Sequence, residues 1–252
     1  LIPPTCWFLI FVSVPTNIMC TTLNITGCAS AIKSKKNRLL FFIALYLHYL
    51  CSMNNEKLKS EKWSENVIIV DADYIDNVAF NLIVNFERMI GRRIQQADIA
   101  KWIDCIALDG GMRDGNHQTQ VVLIHSKKIQ KMDNFKPSDY EKDLNGKAFK
   151  DNLGEFIISS FPTEDIVNNE DFFIDVLQTV CGQTDVKRVM IIPNCEEGNI
   201  YDRVRETLKY IDDENKRITV FAMQPMQGGN FRQEILGYSL MSALGIKADE
   251  IK

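Results

Sequence analysis

The stretch Val67-Ile68-Ile69-Val70-Asp71-Ala72-Asp73 decides the fold. Its four consecutive apolar residues show no polar alternation, so both faces of the segment are apolar. A strand of that kind lies buried between two layers, as in a parallel sheet covered by helices. Two carboxylates one residue apart then stand at its carboxyl tip. In open α/β sheets ligands bind outside the carboxyl ends of the strands. Acidic, oxygen-rich groups placed there suit Mg²⁺ or Mn²⁺.

Downstream of this strand the pattern alternates. Val78, Ala79, Leu82, Ile83, Phe86, Met89 and Ile90 recur at helical spacing, and Gly91 is a natural stop. A second helix is predicted over about Gln96–Leu108, with Ile99, Trp102, Ile103 and Ile106 on its apolar face. Asp109-Gly110-Gly111 breaks it. Gln120–His125 reads as the next strand. Residues 127–151 are polar and irregular and read as a long excursion. Glu155–Ser160 is a third strand, followed by a helix over Asn169–Cys181 that opens on Glu170 and Asp171, as the positive end of a helix favours. Arg188–Ile192 is a fourth strand, with a helix after it over Asn199–Ile211. Arg217–Ala222 is a fifth, and a last helix carries Ile235, Leu236, Leu240 and Leu244. Five apolar strands interleaved with helices predict a three-layer α/β/α domain with a mostly parallel five-stranded sheet.

Charge divides the chain. Residues 1–52 hold Lys33, Lys35, Lys36 and Arg38 and no acid. The other 200 residues keep 25 of the 29 basic side chains against all 33 acids, a net −8, which argues against a dedicated nucleic-acid binder. Cys6, Cys20, Cys28 and Cys51 also lie in the first part. Met53 opens a polar run, so translation is expected to start there, with residues 1–52 as upstream sequence. The other reading is a signal or anchor segment built from Lys33–Arg38 and the 12-residue apolar run Leu39–Leu50, short of the roughly 20 residues that a membrane span needs. Residues 53–252 are then expected to form a single cytoplasmic domain with no membrane segment. Cys105, Cys181 and Cys195 lack metal spacing and fit reduced thiols.

The candidate chemistry gathers on the carboxyl edge. On a strand, residues two apart share a face, so Asp71 and Asp73 are placed to reach one cation, and Asp76 follows shortly after. The plainer alternative is that one acid caps the next helix and the other is solvated. Glu196 and Glu197, after the fourth strand, open on the same edge. Asp171 and Asp175 share a helical face before it. Cys195 is a candidate nucleophile, His125 ends the second strand, and Ser126 follows it. For Cys195 and His125 a structural role is the simpler reading. The loop Asp109–Gly115 lacks the Gly-x-Gly-x-x-Gly pattern after a strand, and no Gly-Lys-Ser/Thr occurs, so nucleotide-fold fingerprints are excluded. Arg92, Arg93, Arg113 and Lys127–Lys131 are the basic clusters.

Residues from about 60 to 252 resemble an uncharacterised domain family of gut Bacteroidetes, on the stretches Val67–Asp73, Phe86–Arg93, Lys101–Gly111 and Gly146–Gly154. That resemblance implies no activity. The order of Asp71, then Asp171 or Asp175, then Arg188–Ile192 and Glu196-Glu197 resembles the PIN/NYN group of metal-dependent ribonucleases. It implies a Rossmann-like or PIN-like sheet and a Mg²⁺ or Mn²⁺ site on Asp71, Asp73, Asp175 and Glu197 that hydrolyses RNA phosphodiesters. Tyr74 stands where that group has Asn, and Cys195 where its loop has Asp, so a degenerate, non-catalytic member that binds a protein partner is the other expectation. Asp71-Ala72-Asp73-Tyr74-Ile75 and Val121–Ser126 are similar to the first two motifs of haloacid dehalogenase-like phosphohydrolases. That resemblance implies Asp71 as nucleophile and Asp73 as general acid toward a small phosphoester.

Overall fold

Strand β1 (Asn66–Asp71) is hydrogen-bonded on both sides, to β3 (His117–Ser126) and to β7 (Arg188–Ile192), both parallel to it. Its side chains alternate between two cores. Ile68 and Val70 face one, Val67 and Ile69 the other, and all four are fully buried. The uninterrupted apolar run is therefore the signature of a strand with a covered layer on each side. The computed structural model describes residues 62–163, 169–211 and 216–251, all within the compact unit Leu58–Lys252. The expectations for residues 1–52 lie outside the described residues.

Seven strands make the main sheet, in the order β5-β6-β3-β1-β7-β8-β9. β6 (Gly154–Thr163), β8 (Arg217–Ala222) and β9 (Arg232–Ile235) continue the parallel set, and β5 (Ala148–Asp151) runs antiparallel at one edge. All five expected strands are present as β1, β3, β6, β7 and β8, but the sheet is not five-stranded. β5 lies within the expected irregular excursion, and β9 takes Ile235 from the expected last helix. Neither is an apolar run: both are half-exposed edge strands. A separate two-stranded ladder joins β2 (Ala97–Asp98) to β4 (Phe135–Lys136).

Helices cover both faces. α1 (Ala72–Ile90), α2 (Ile99–Asp109) and α5 (Leu236–Ala243) pack on the Ile68 and Val70 side. α3 (Asn169–Cys181) and α4 (Ile200–Leu208) pack on the Val67 and Ile69 side. α2 buries Ile99, Trp102, Ile103 and Ile106, as its periodicity predicts. Met89 of α1, placed on the buried stripe by spacing, is 59% exposed, while Phe86 and Ile90 beside it still pack against the core. Asp98 caps α2 by accepting the Lys101 N–H at 3.1 Å. α1 ends on Gly91 in the left-handed region, where glycine avoids a Cβ clash. Among the described residues no helix is long and apolar enough to cross a membrane.

Counted along the chain, the parallel strands place later members on either side of β1. β3 and β6 lie to one side, and β7, β8 and β9 to the other. The order reverses between β1 and β7. Such a reversal opens a crevice outside the carboxyl ends of the strands.

Gly154 begins β6 at φ +127°, and a Cβ there would run into the His117 backbone of the paired strand. Gly91, at φ +73°, has nothing within 4 Å of a built Cβ. Gly91→Ala is expected to lose only the left-handed backbone penalty, roughly 1–2 kcal/mol. Gly154→Ala adds a collision inside a ladder and is expected to lose distinctly more. Urea unfolding of both variants checks the order. Equal losses would show that β3 and β6 separate freely at that end.

Candidate active site at the carboxyl edge

β1 passes into α1 with no intervening loop, so the last residue of the strand is the cap of the helix. Asp71 accepts the Tyr74 N–H at 3.0 Å. Two residues on, Asp73 Oδ2 accepts the Ser126 N–H at 2.8 Å and ties α1 to the end of β3. Its other oxygen, Oδ1, is buried without a hydrogen-bond partner. Asp76 accepts the N–H groups of Asn134 at 2.8 Å and Asp133 at 3.1 Å, which pins the excursion after β3 to α1. Asp76 is thereby turned away from Asp71 to a structural task.

Asp71, Asp73 and Glu197, which the sequence singles out, line one cleft of about 330 Å³. Tyr74 and Asn77 of α1, Asn169, Glu170 and Phe173 of α3, and Asn194 and Ile200 around the β7–α4 loop complete it. The cleft lies at the crevice where the strand order reverses, and α1, α3 and α4 all begin at it. Helix amino termini carry partial positive charge and favour anions. Even so, burial pushes the Asp71 carboxyl up to about 6. The Tyr74 N–H opposes the rise, and the charges of Asp73 and Glu197 add to it. The Asp73 carboxyl is raised too, chiefly by burial, with the Ser126 N–H and His125 opposing. The Tyr74 phenol is held protonated by burial and by Glu196, Cys195 and Asp71 around it.

Asp175 does not line this cleft. It lies six residues along α3 from Asn169, about 9 Å at the helical rise, with Asp171 and Arg203 as its electrostatic neighbours. The acid that α3 brings to the cleft is Glu170, in its first turn. Arg203 of α4 spans the rim, 2.7 Å from Asp171 and 3.6 Å from Glu170. Cys195 packs against the α3–α4 core, and burial followed by Glu196 pushes its thiol up to about 12, so it stays protonated at neutral pH. His125 is buried and stacked on Tyr140 at 3.8 Å between ring centroids. Its Nδ1 lies 3.0 Å from the Ser126 carbonyl and 3.1 Å from that of Ile129, and its Nε2 lies 3.4 Å from Ser160 Oγ. Ser126 meets the acids through its backbone. Of the basic clusters, Arg92 is held by Glu250 at 2.8 Å.

Glu170, Asn169, Asn194 and Tyr140 escape sequence reasoning. The first three are polar residues at helix starts or in a loop, where capping is their ordinary use. The Tyr140 hydroxyl is buried without a partner and feels Asp73, Asp76 and Asp71 from behind the cleft. Only the fold of residues 127–153 brings it there.

Among the described residues, no group of three or more His, Cys, Asp or Glu side chains converges closely enough to hold a metal ion. The acids of the cleft are spaced rather than caged. Mg²⁺ commonly binds through one or two carboxylates, its own waters and a substrate phosphate, and a spaced set suits that mode.

Residues 60–251 match the family described as a family of unknown function (DUF6621), and the chain belongs to that family. No curated protein and no solved structure matches the chain. The resemblances to PIN/NYN ribonucleases and to haloacid dehalogenase-like enzymes thus find no support in these comparisons.

Ionised Asp71 destabilises the fold. With its carboxyl at about 6 in the folded chain against the ordinary 3.8, the folded state holds the proton more tightly than the unfolded one. Stability from this group is therefore greatest below pH 4 and falls as pH rises to about 6, by roughly 3 kcal/mol. Asp71→Asn keeps an oxygen for the Tyr74 N–H and removes the charge. In metal-free buffer at pH 7 the variant is expected to unfold at higher urea than the parent, with the gap closing toward pH 4. A gap that does not change with pH would show that Asp71 is not buried as a charge.

Proposed function

We propose that this member of the DUF6621 family is a Rossmann-like α/β hydrolase of phosphoesters that works with Mg²⁺ or Mn²⁺ at the carboxyl edge of its sheet. The observation that carries the reading is the lining of the cleft, where carboxylates and the amino termini of α1, α3 and α4 face the same space. Carboxylates attract a divalent cation, and helix amino termini attract a phosphate. A ligand that satisfies both is a phosphate carrying its cation.

In this reading Asp71 and Glu197 are the carboxylate ligands, with Asp73 and the Asn194 side chain in support. Glu170 takes the place that the sequence assigns to Asp175. A bound divalent ion would polarise a phosphoryl oxygen and lower the pKa of a bound water. Asp73, fixed by the Ser126 N–H, keeps one oxygen free of protein donors. The Arg203 guanidinium stands beside Glu170, which lines the cleft, and Glu170 and Asp171 hold it in position. A phosphodiester, such as that of RNA, is the leading substrate class. The alternative of a covalent phospho-aspartate on Asp71 is less well supported, because no lysine lines the cleft among the described residues.

Mn²⁺ titration under thermal unfolding tests the site. At a hundredfold excess over Kd a ligand of the folded state adds about 2.7 kcal/mol, roughly 5–10 °C for a domain of this size. That rise is expected in the parent and is expected to be lost in Asp71→Asn and Glu197→Gln. Hydrolysis of bis(p-nitrophenyl) phosphate is expected to need Mn²⁺ and to fall at least a hundredfold in Asp71→Asn, in line with the loss of an activated water. Equal stabilisation of parent and both variants, or none in the parent, would overturn the reading.

A further inference from the structure

The opposite edge of the same sheet concentrates the reverse charge. Arg188 opens β7, and its partner in the parallel register is Arg217, the first residue of β8. Arg232 opens β9 and pairs in register with Thr219. Register partners in a parallel ladder, and residues two apart on a strand, point to one face. Met190 and Phe221 show that this is the face covered by α2. Arg188, Arg217 and Arg232 therefore rise side by side beneath the turn that ends α2. Arg113 descends from that turn to join them around a cleft of about 380 Å³.

Like charges opposite each other on neighbouring strands destabilise a sheet, so the partners of these arginines matter. Arg232 forms an ion pair with Glu234. The others make no ion pair among the described residues. Arg113 spends one N–H on the Met112 carbonyl at 2.8 Å. Arg188 spends one on the Gly110 carbonyl, and its Nε is buried with no hydrogen-bond partner. The Glu65 carboxylate acts on the Arg188 guanidinium, and Asp109 on that of Arg232, through space. Burial and the three other arginines all push the Arg188 guanidinium below its ordinary range. Gly111 closes the cleft at φ +84°, and a Cβ there would lie 3.1 Å from Arg188 Nη1. The glycine leaves the guanidinium and the turn room to share the space.

We propose that this arginine cleft is a second binding site and that it takes a di- or triphosphate group on a small molecule. A guanidinium binds phosphate oxygens through paired N–H donors. With Arg232 neutralised by Glu234, three cations are left over among the described residues, more than the charge of one orthophosphate and near that of pyrophosphate. The cleft is at the small end of ligand pockets and concave. A nucleic acid would call for an extended basic stripe, and the chain as a whole is acidic, at −4. The site is independent of the acidic cleft. Arg188 and Ile192 stand at opposite ends of β7, about 13 Å apart at the strand rise, and Asp71 lies at the Ile192 end.

The test uses the full chain in EDTA and follows thermal unfolding and heats of binding with three probes: pyrophosphate, orthophosphate and a single-stranded RNA oligomer. Pyrophosphate is expected to raise the unfolding midpoint saturably, to bind at least tenfold more tightly than orthophosphate, and to weaken with added salt. Arg217→Gln and Arg113→Gln, both at exposed positions, are expected to lower pyrophosphate affinity at least tenfold each. Without ligand they are expected to unfold no earlier than the parent, because a like charge is removed. Asp71→Asn is expected to bind pyrophosphate as the parent does, which separates this site from the acidic cleft. No saturable shift, an undiminished shift in the glutamine variants, or RNA binding more tightly than pyrophosphate would overturn the proposal.

Discussion

The double pairing of β1 governs the rest of the structure. Held by β3 on one side and β7 on the other, it has no free edge, and its four apolar residues fill two cores at once. Its end is fixed equally firmly. Asp71 is in register with Ile124 of β3 and is also the cap of α1. Because no loop separates strand from helix, the direction of α1 follows from the ladder. The same ladder sets Asp73 against the backbone of Ser126, two residues past Ile124. The position of the two carboxylates is thus settled by strand pairing before any side-chain preference enters.

Capping and charge can be weighed against each other at Asp71. An N-cap contributes about 1 kcal/mol, and asparagine or serine supplies it as well as aspartate. Ionised Asp71 costs roughly 3 kcal/mol by its displaced titration. The cap alone therefore does not offset a buried charge that a neutral residue would avoid. Asp76 shows the contrast. It accepts two backbone N–H groups from the segment it anchors, with no free oxygen left over. Asp73 sits between the two, with one oxygen committed and one without a donor. A cation in the cleft would meet the need that Asp71 and Asp73 leave open.

The core of the fold was legible because it is written in local patterns. A run such as Val189–Ile192 or Val121–Ile124 reads as a buried strand without knowledge of its neighbours. The edge strands were not legible. Ala148–Asp151 and Arg232–Ile235 carry no apolar run, because one flank of each faces solvent, and only a neighbouring strand makes them strands. Asp71 and Glu197 could be placed at one cleft because strand ends in a parallel sheet share an edge. Helical spacing reports which residues share a face, not how far along the axis they lie, and Asp175 falls outside the lining of that cleft. Glu170, in the first turn, is the acid that reaches. The spacing of Asp71-Ala72-Asp73 suggests two carboxylates on one strand face, yet Asp73 belongs to the helix. The plainer reading, one acid as a cap, is what Asp71 does.

The arginine cleft was invisible in the sequence for a different reason. Residues 113, 188, 217 and 232 belong to four separate segments, and nothing in any one of them marks a site. Parallel register alone sets Arg188 beside Arg217 and draws Arg232 to the same face. The two ends of the sheet now pose the same physical problem with opposite signs. At one end burial raises the carboxyls of Asp71 and Asp73, and at the other the Arg188 Nε is buried without an acceptor. The interior strands cannot relieve either. β7 touches both ends, but its span of about 13 Å runs through Met190 and Ile191, which are fully buried and apolar. Charge at one edge is therefore not compensated by charge at the other. Each edge presents a cleft in which a counter-charge from outside the chain can be held.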